Sequence, residues 1–246
     1  RKSVVTETFL QIPQYMPDAY QKRLVLSIDE KENVLTFYYT KDDKHAYYIV
    51  THWVQNVDGS GYTEYRSIQS PGEINTLIEE AALKLTGFTY VGFTANNGDR
   101  QLGDPASGTL TEEGLRLDLY YDRMLYSYTV KYLEYGTNNE LHAPEISEAI
   151  YRFGKTVSAD ALEIPGYTLV SATPQTRVIR TTGNEIIFYY SEKSVTISYV
   201  PVPTGAGQVS RGSETVKAIT DTAAGSTPMP ENGYRFEGWY KDAACT

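Results

Sequence analysis

Cysteine is almost absent from this 246-residue chain: the one copy, Cys245, stands beside the last residue. A single terminal thiol excludes a disulfide framework and a cysteine-ligated metal site. Imidazole is nearly as scarce. His45, His52 and His142 are the only histidines, and none stands in an HExxH arrangement, so each reads as a structural or surface residue. No stretch approaches the roughly 18 apolar residues of a membrane span, and the opening RKSVVTETF has no apolar signal core, so membrane insertion is not expected. Basic residues are outnumbered, 22 Lys and Arg against 31 Asp and Glu for a net charge of -9, and they form no run. That balance argues against nucleic acid as a partner, because nothing concentrates positive charge for phosphate neutralisation.

The frames that hold catalytic groups are missing too. No GxSxG elbow presents a nucleophile, and 205-GAG-207 lacks the Gly-Lys-Ser/Thr that would make it a phosphate loop. The carboxylate pairs Glu79-Glu80 and Glu112-Glu113 are adjacent in sequence and so point in different directions, as on a solvated face. An enzyme is therefore not expected.

Tyrosine is abundant, at 22 copies, and aromatics make up 13% of a chain that is 41% hydrophobic. That composition belongs to an ordered chain. The sequence also repeats. Alternating segments 47-YYIVTHWV-54, 128-YTVKYLEY-135 and 195-VTISYVPV-202 are each followed by a Gly-aromatic step that opens another strand, at 87-GFTYVGF-93, 166-GYTLVSA-172 and 233-GYRFEGW-239. Trp53 to Gly87, Tyr132 to Gly166 and Tyr199 to Gly233 each span 34 residues, and a fixed interval of that kind marks one supersecondary unit per repeat. Residues 12-IPQY-15 stand where 164-IPGY-167 stands later.

The second unit displays a plan. A strand ending near Val54 meets Asp58-Gly59, a hairpin signal, and Tyr62–Ile68 returns. Ser70, Pro71 and Glu73 then form a capping-box start with Pro at the first helical position, and Ile74, Leu77, Ile78, Ala81 and Leu85 follow at helical spacing. Gly87 ends the predicted helix, Phe88 opens a third strand, and Leu115–Tyr121 supplies a fourth. The order strand, strand, helix, strand, strand predicts a small α+β, β-rich module of the β-grasp kind.

Residues 128–190, with YTVKYLEYGTNNEL, FGKTVSADALEIPGYTLVSATPQ and EIIFYY, resemble the mucin-binding-protein (MucBP) repeat of Gram-positive surface adhesins. Residues 194–246, ending STPMPENGYRFEGWYKDAACT, are similar to the internalin B-repeat, also called the Listeria/Bacteroides repeat. The resemblance implies tandem ubiquitin-like β-grasp modules in an elongated array: the end of one MucBP-like module at 1–43, a divergent one at 44–124, another at 125–193, and the B-repeat-like module at 194–246. It also implies an extracellular stalk on a bacterial cell surface, anchored to the wall through a region outside this sequence, with binding of host mucin or its glycans as the alternative function. The other partners would be neighbouring repeats of the same chain.

Two features point to a site. The divergent unit carries an insertion of 10 residues, with 33 from Gly87 to Tyr120 against 23 from Gly166 to Tyr189. Its loop, 94–114, holds Asn96, Asn97, Asp99, Arg100 and Gln101, donors and acceptors suited to sugar hydroxyls. With Asp104, the Asn and Asp oxygens also make the chain's one candidate Ca²⁺ site, although their spacing is not that of an EF-hand. No other cofactor is expected. Aromatic rings can stack on sugars as well as fill sheet faces, and Trp53 and Tyr65 are the aromatic candidates because their unit diverges from the rest.

Overall fold

The structure, a computed structural model, describes residues 3–241; Cys245 lies outside the described residues. The chain divides into two compact units, one made of Arg1–Ser127, Ala149–Thr156 and Val178–Asn184, the other of Tyr128–Glu148, Val157–Arg177 and Glu185–Thr246. In the first unit a four-stranded sheet has the spatial order Tyr62–Glu73, His45–Gln55, Leu115–Arg123, Phe88–Ala95. Its central pair is parallel and both flanking pairs are antiparallel. The second unit repeats that order with Glu140–Ile146, Thr129–Glu134, Glu185–Glu192 and Tyr167–Leu169, again around a parallel central pair.

Strand alternation explains the burial. In 117-LDLYYDR-123 successive side chains face opposite ways. Leu117, Leu119 and Tyr121 fall on the core face with Val50, Phe93 and Ala106, all buried. The second sheet packs Val130, Tyr132, Ile186, Phe188 and Tyr190 in the same manner. Tyr132 lies stacked on Phe188 with centroids 6.1 Å apart, and its hydroxyl donates to Glu145.

The expected α+β class is corrected: the chain is nearly all β. Among the described residues the one helical element is a 3-10 turn at Glu30–Glu32, and there is no α-helix to complete a ubiquitin-like β-grasp module. Where a helix is predicted, Ser70, Pro71 and Glu73 continue the edge strand and pair with Tyr48, Tyr47 and His45. Pro71 is tolerated because an edge strand has positions whose N–H faces no partner. Asn75, at φ 69, then breaks any helical run, and Leu77–Glu80 pairs with Ala106–Thr109, a strand supplied by the loop insertion. Ile74 and Ile78, four apart, share a face in both a helix and a strand, so they satisfy either reading. Leu77 decides between them. It belongs to the helical stripe but is 62% exposed, whereas Ile74 and Ile78 pack on the core.

The repeat is visible in its turns. Phe88, Tyr167 and Tyr234 each donate a backbone N–H to the carbonyl three residues earlier, at Leu85, Ile164 and Glu231. Gly87, Gly166 and Gly233 hold φ of 79, 82 and 89 at the third turn position, which such turns require to be positive. Tyr15 makes the same bond to Ile12 over Gln14, at φ 64, so the IPQY segment adopts the IPGY turn without glycine.

Beyond residue 193 the chain forms two short pairings, Ser194–Ser198 with Ser213–Lys217 and Gly207–Val209 with Pro228–Pro230. The Glu214 carboxylate ties them to the following loop: it accepts from the Tyr199 hydroxyl, from the Gly225 and Ala224 backbone and from Arg211, bonds that hold its pKa down at about 2. The strand expected at 233–239 is instead a turn followed by irregular chain in which Trp239 packs on Tyr199 and Phe236.

Candidate functional site

The alternation that buries Leu117, Leu119 and Tyr121 turns Arg116, Asp118, Tyr120 and Asp122 onto the other face of the first sheet. The register brings Trp53 and Thr51 of the parallel neighbour beside Tyr120 and Asp118. Asp118 is only 3% exposed, yet its carboxylate is satisfied: Trp53 Nε1 donates to Oδ1 at 2.7 Å and Arg116 Nε to Oδ2 at 2.7 Å. A buried carboxylate is tolerated when both oxygens accept such bonds. The Asp118 bond raises the Arg116 pKa, outweighing burial, which acts to lower it.

Next to this cluster, Tyr62 and Tyr120 meet edge to face with centroids 5.1 Å apart, and the Arg100 guanidinium lies 4.0 Å from the Tyr120 centroid and 5.2 Å from that of Tyr62. Arg100 Nη1 donates to the Tyr62 hydroxyl, which donates to Asp122 Oδ1 at 2.6 Å. Burial first, then the Asp122 bond, pushes the Tyr62 phenol above its ordinary value. The outcome is a continuous face of aromatic rings edged by guanidinium and carboxylate groups, equipped to pack an apolar surface and to exchange hydrogen bonds with hydroxyls.

The structure brings Trp53 and Arg100 together on this face. Asn96 stands at its end, at φ 47, with Oδ1 accepting the Arg116 backbone N–H at 2.8 Å, and Asn97 follows at φ 59. Gln101 contributes its backbone, bonded in both directions to Phe93, which folds the loop back over the sheet. Asp99 is exposed. Tyr65 stands on the edge strand, 57% exposed and outside the bonded network. Asp104 Oδ1 accepts the Ala82 N–H, and among the described residues no three His, Cys, Asp or Glu are grouped to hold a metal ion. The residues that sequence reasoning passed over are Tyr62, Arg116, Asp118, Tyr120 and Asp122. Parity within 117–123 was the available signal for the last three; nothing in the sequence shows that Arg100 reaches them.

His52, fully buried on the core face, is a different kind of polar group. Leu83 N–H donates to the Tyr121 hydroxyl, which is also hydrogen-bonded to His52 Nδ1, 2.9 Å away. Nε2 lies 3.6 Å from Glu80 and has no hydrogen-bond partner. Burial lowers the His52 pKa, with the Glu80 charge opposing. A neutral imidazole wedged between strands is a packing element.

Comparison with known families bears on the second unit's sheet. Residues 128–191 match the MucBP domain. The match thus takes in that sheet from Thr129–Glu134 onward, all but the last residue of Glu185–Glu192. The match does not extend to residues 194–246. A solved structure described as "Crystal structure of Mub-RV" aligns over 60% of this chain and 98% of its own length, at 10% identity and a TM-score of 0.20, too low to carry an argument. No curated protein matches the chain.

Proposed function

We propose that this chain is a non-enzymatic binding region of a bacterial surface protein, extracellular and carried on the cell wall, whose partner is mucin or its glycans. The observation that carries the reading is the MucBP match over residues 128–191. The Trp53, Tyr62, Tyr120 and Arg100 face of the other unit supports it, since rings edged by donors and acceptors suit sugar surfaces. Residues 194–246 are read as a further module, of the internalin B-repeat kind. The three equal 34-residue intervals favour a second reading, in which the repeats serve as a spacer holding another domain outward. Non-adherent bacterial cells made to display the chain should attach to a mucin-coated surface and not to an albumin-coated one. Equal attachment to both surfaces, or none, would remove the mucin reading and leave the spacer.

A further inference from the structure

The two four-stranded sheets correspond residue by residue around one corner. Residues 82-ALKLTGFTY-90 line up with 161-ALEIPGYTL-169, and 103-GDP-105 lines up with 172-ATP-174. The bonds agree with that alignment. Ala82 N–H donates to Asp104 Oδ1 and Ala161 N–H to Thr173 Oγ1, while the Tyr121 hydroxyl accepts from the Leu83 N–H and the Tyr190 hydroxyl donates to the Leu162 carbonyl. Tyr90 stands opposite Tyr121 in the sheet register, as Leu169 stands opposite Tyr190. One difference changes the shape of this corner: a phenol ring at Tyr90, an isobutyl group at Leu169. In the first unit the Tyr90 ring fills the corner, its centroid 5.5 Å from that of Tyr121 and its hydroxyl donating to the Gly103 carbonyl at 2.8 Å. Burial pushes that phenol's pKa up to about 12. In the second unit an open cleft of about 240 Å³ remains, with Leu162, Ile164, Tyr167, Leu169, Thr173 and Tyr190 in its walls.

The cleft's volume is below the roughly 300–1,000 Å³ of sites for drug-sized ligands, so it takes one ring and not an extended molecule. Leu162, Ile164 and Leu169 make much of its wall aliphatic, and a pyranose would bring several hydroxyls against them without partners. A phenol brings one. In the first unit that hydroxyl ends on the Gly103 carbonyl, a position held in the second by Ala172, which is exposed. Beside the cleft, Tyr167–Leu169 is the outer strand of its sheet, so a partner's backbone can run along it. Tyrosine rings seated in pockets are frequent anchors between polypeptides. We propose that this cleft binds a tyrosine side chain presented by a partner polypeptide, in the place that Tyr90 fills from within its own unit. The site lies inside the 128–191 MucBP match but takes a protein side chain and not a sugar, so it stands or falls apart from the glycan reading.

The test uses the intact chain, its leucine and isoleucine methyl groups labelled for NMR, and three probes: N-acetyl-tyrosinamide, N-acetyl-leucinamide and methyl galactoside. At millimolar concentration the tyrosine probe should shift the methyl signals of Leu162, Ile164 and Leu169, and the other two should leave them in place. Leu169→Tyr puts the ring there covalently. Read at Leu162 and Ile164, it should weaken binding of the tyrosine probe at least about tenfold, because a tethered ring competes at high effective concentration. The same substitution should leave the melting temperature unchanged or raised, since it rebuilds the packing that Tyr90 gives the first unit. If Leu169→Tyr melts well below wild type, Leu169→Phe, whose ring has no hydroxyl to place, takes its part in the titration; if both do, the cleft accepts no ring and the proposal is overturned. Absence of shifts with the tyrosine probe, shifts as large with the leucine probe, or undiminished binding to the variant would overturn it equally. Shifts with methyl galactoside alone would give the cleft to a sugar and overturn the protein partner.

Discussion

Replacing Gly87 by Ala tests the turn that recurs through the chain. Gly87 holds φ 79, where an L-residue costs roughly 1–2 kcal/mol, and loss of unfolded-chain freedom returns about 0.4–1 kcal/mol of that. A Cβ there would also stand 2.5 and 2.6 Å from Cδ1 and Cδ2 of Phe153, a ring held by its edge-to-face contact with Phe88 and by the Arg123 bond to its backbone carbonyl. Overpacking of that kind costs about 1–3 kcal/mol, so Gly87→Ala should destabilise the first unit by about 2–4 kcal/mol in total. The assay is urea unfolding followed by Trp53 fluorescence in a Trp239→Phe background, which silences the chain's other tryptophan. In a Phe153→Ala background the steric part should vanish and Gly87→Ala should cost only about 1 kcal/mol. The same cost in both backgrounds would refute the close approach to Phe153, and no cost in either would refute the left-handed turn itself.

Trp53→Phe removes the donor to buried Asp118 Oδ1 and should cost the first unit about 1–3 kcal/mol by denaturant titration, whereas a purely surface role for Trp53 would show almost none. Ser70→Ala should change stability by less than about 0.5 kcal/mol, since Ser70 belongs to an edge strand and caps no helix; a loss of 1 kcal/mol or more would restore the helix. His52 has its pKa lowered by burial, so the folded state binds fewer protons than the unfolded one once pH falls below the ordinary value of 6.5. Its contribution is therefore fully present above that pH and is lost on acidification, and His52→Gln should flatten the slope of unfolding free energy between about pH 7 and pH 5 by up to about 1.4 kcal/mol per pH unit. An unaltered slope would show that the imidazole titrates alike in both states.

The paired central strands of the two four-stranded sheets and the recurring Gly-aromatic turns were readable because each rests on local chemistry, alternation at 117–123 and a positive φ at Gly87, Gly166 and Gly233, whereas the strand expected at 233–239 does not form. Even the substitution of Gln14 for glycine was legible from the IPQY alignment, although its cost was not. The helix failed because Ile74 and Ile78 fit both periods, while Ser70, Pro71 and Glu73 make a helix start only when no neighbouring strand competes for their backbone. That competitor, the His45–Gln55 strand, pairs along its whole length with Tyr62–Glu73, and the inserted loop supplies Ala106–Thr109 to pair the rest. The site divides in the same way. Trp53 and Arg100 were named from sequence, but the carboxylate that organises Trp53 lies 65 residues away and the rings beneath Arg100 come from two other strands. Such meetings depend on sheet register, which no local pattern encodes.

A binding isotherm of the intact chain on immobilised purified mucin tests the central claim most directly. The account predicts saturable binding that free mucin oligosaccharides compete away. A signal that rises linearly with concentration and resists that competition, or no signal above an albumin surface, would contradict it.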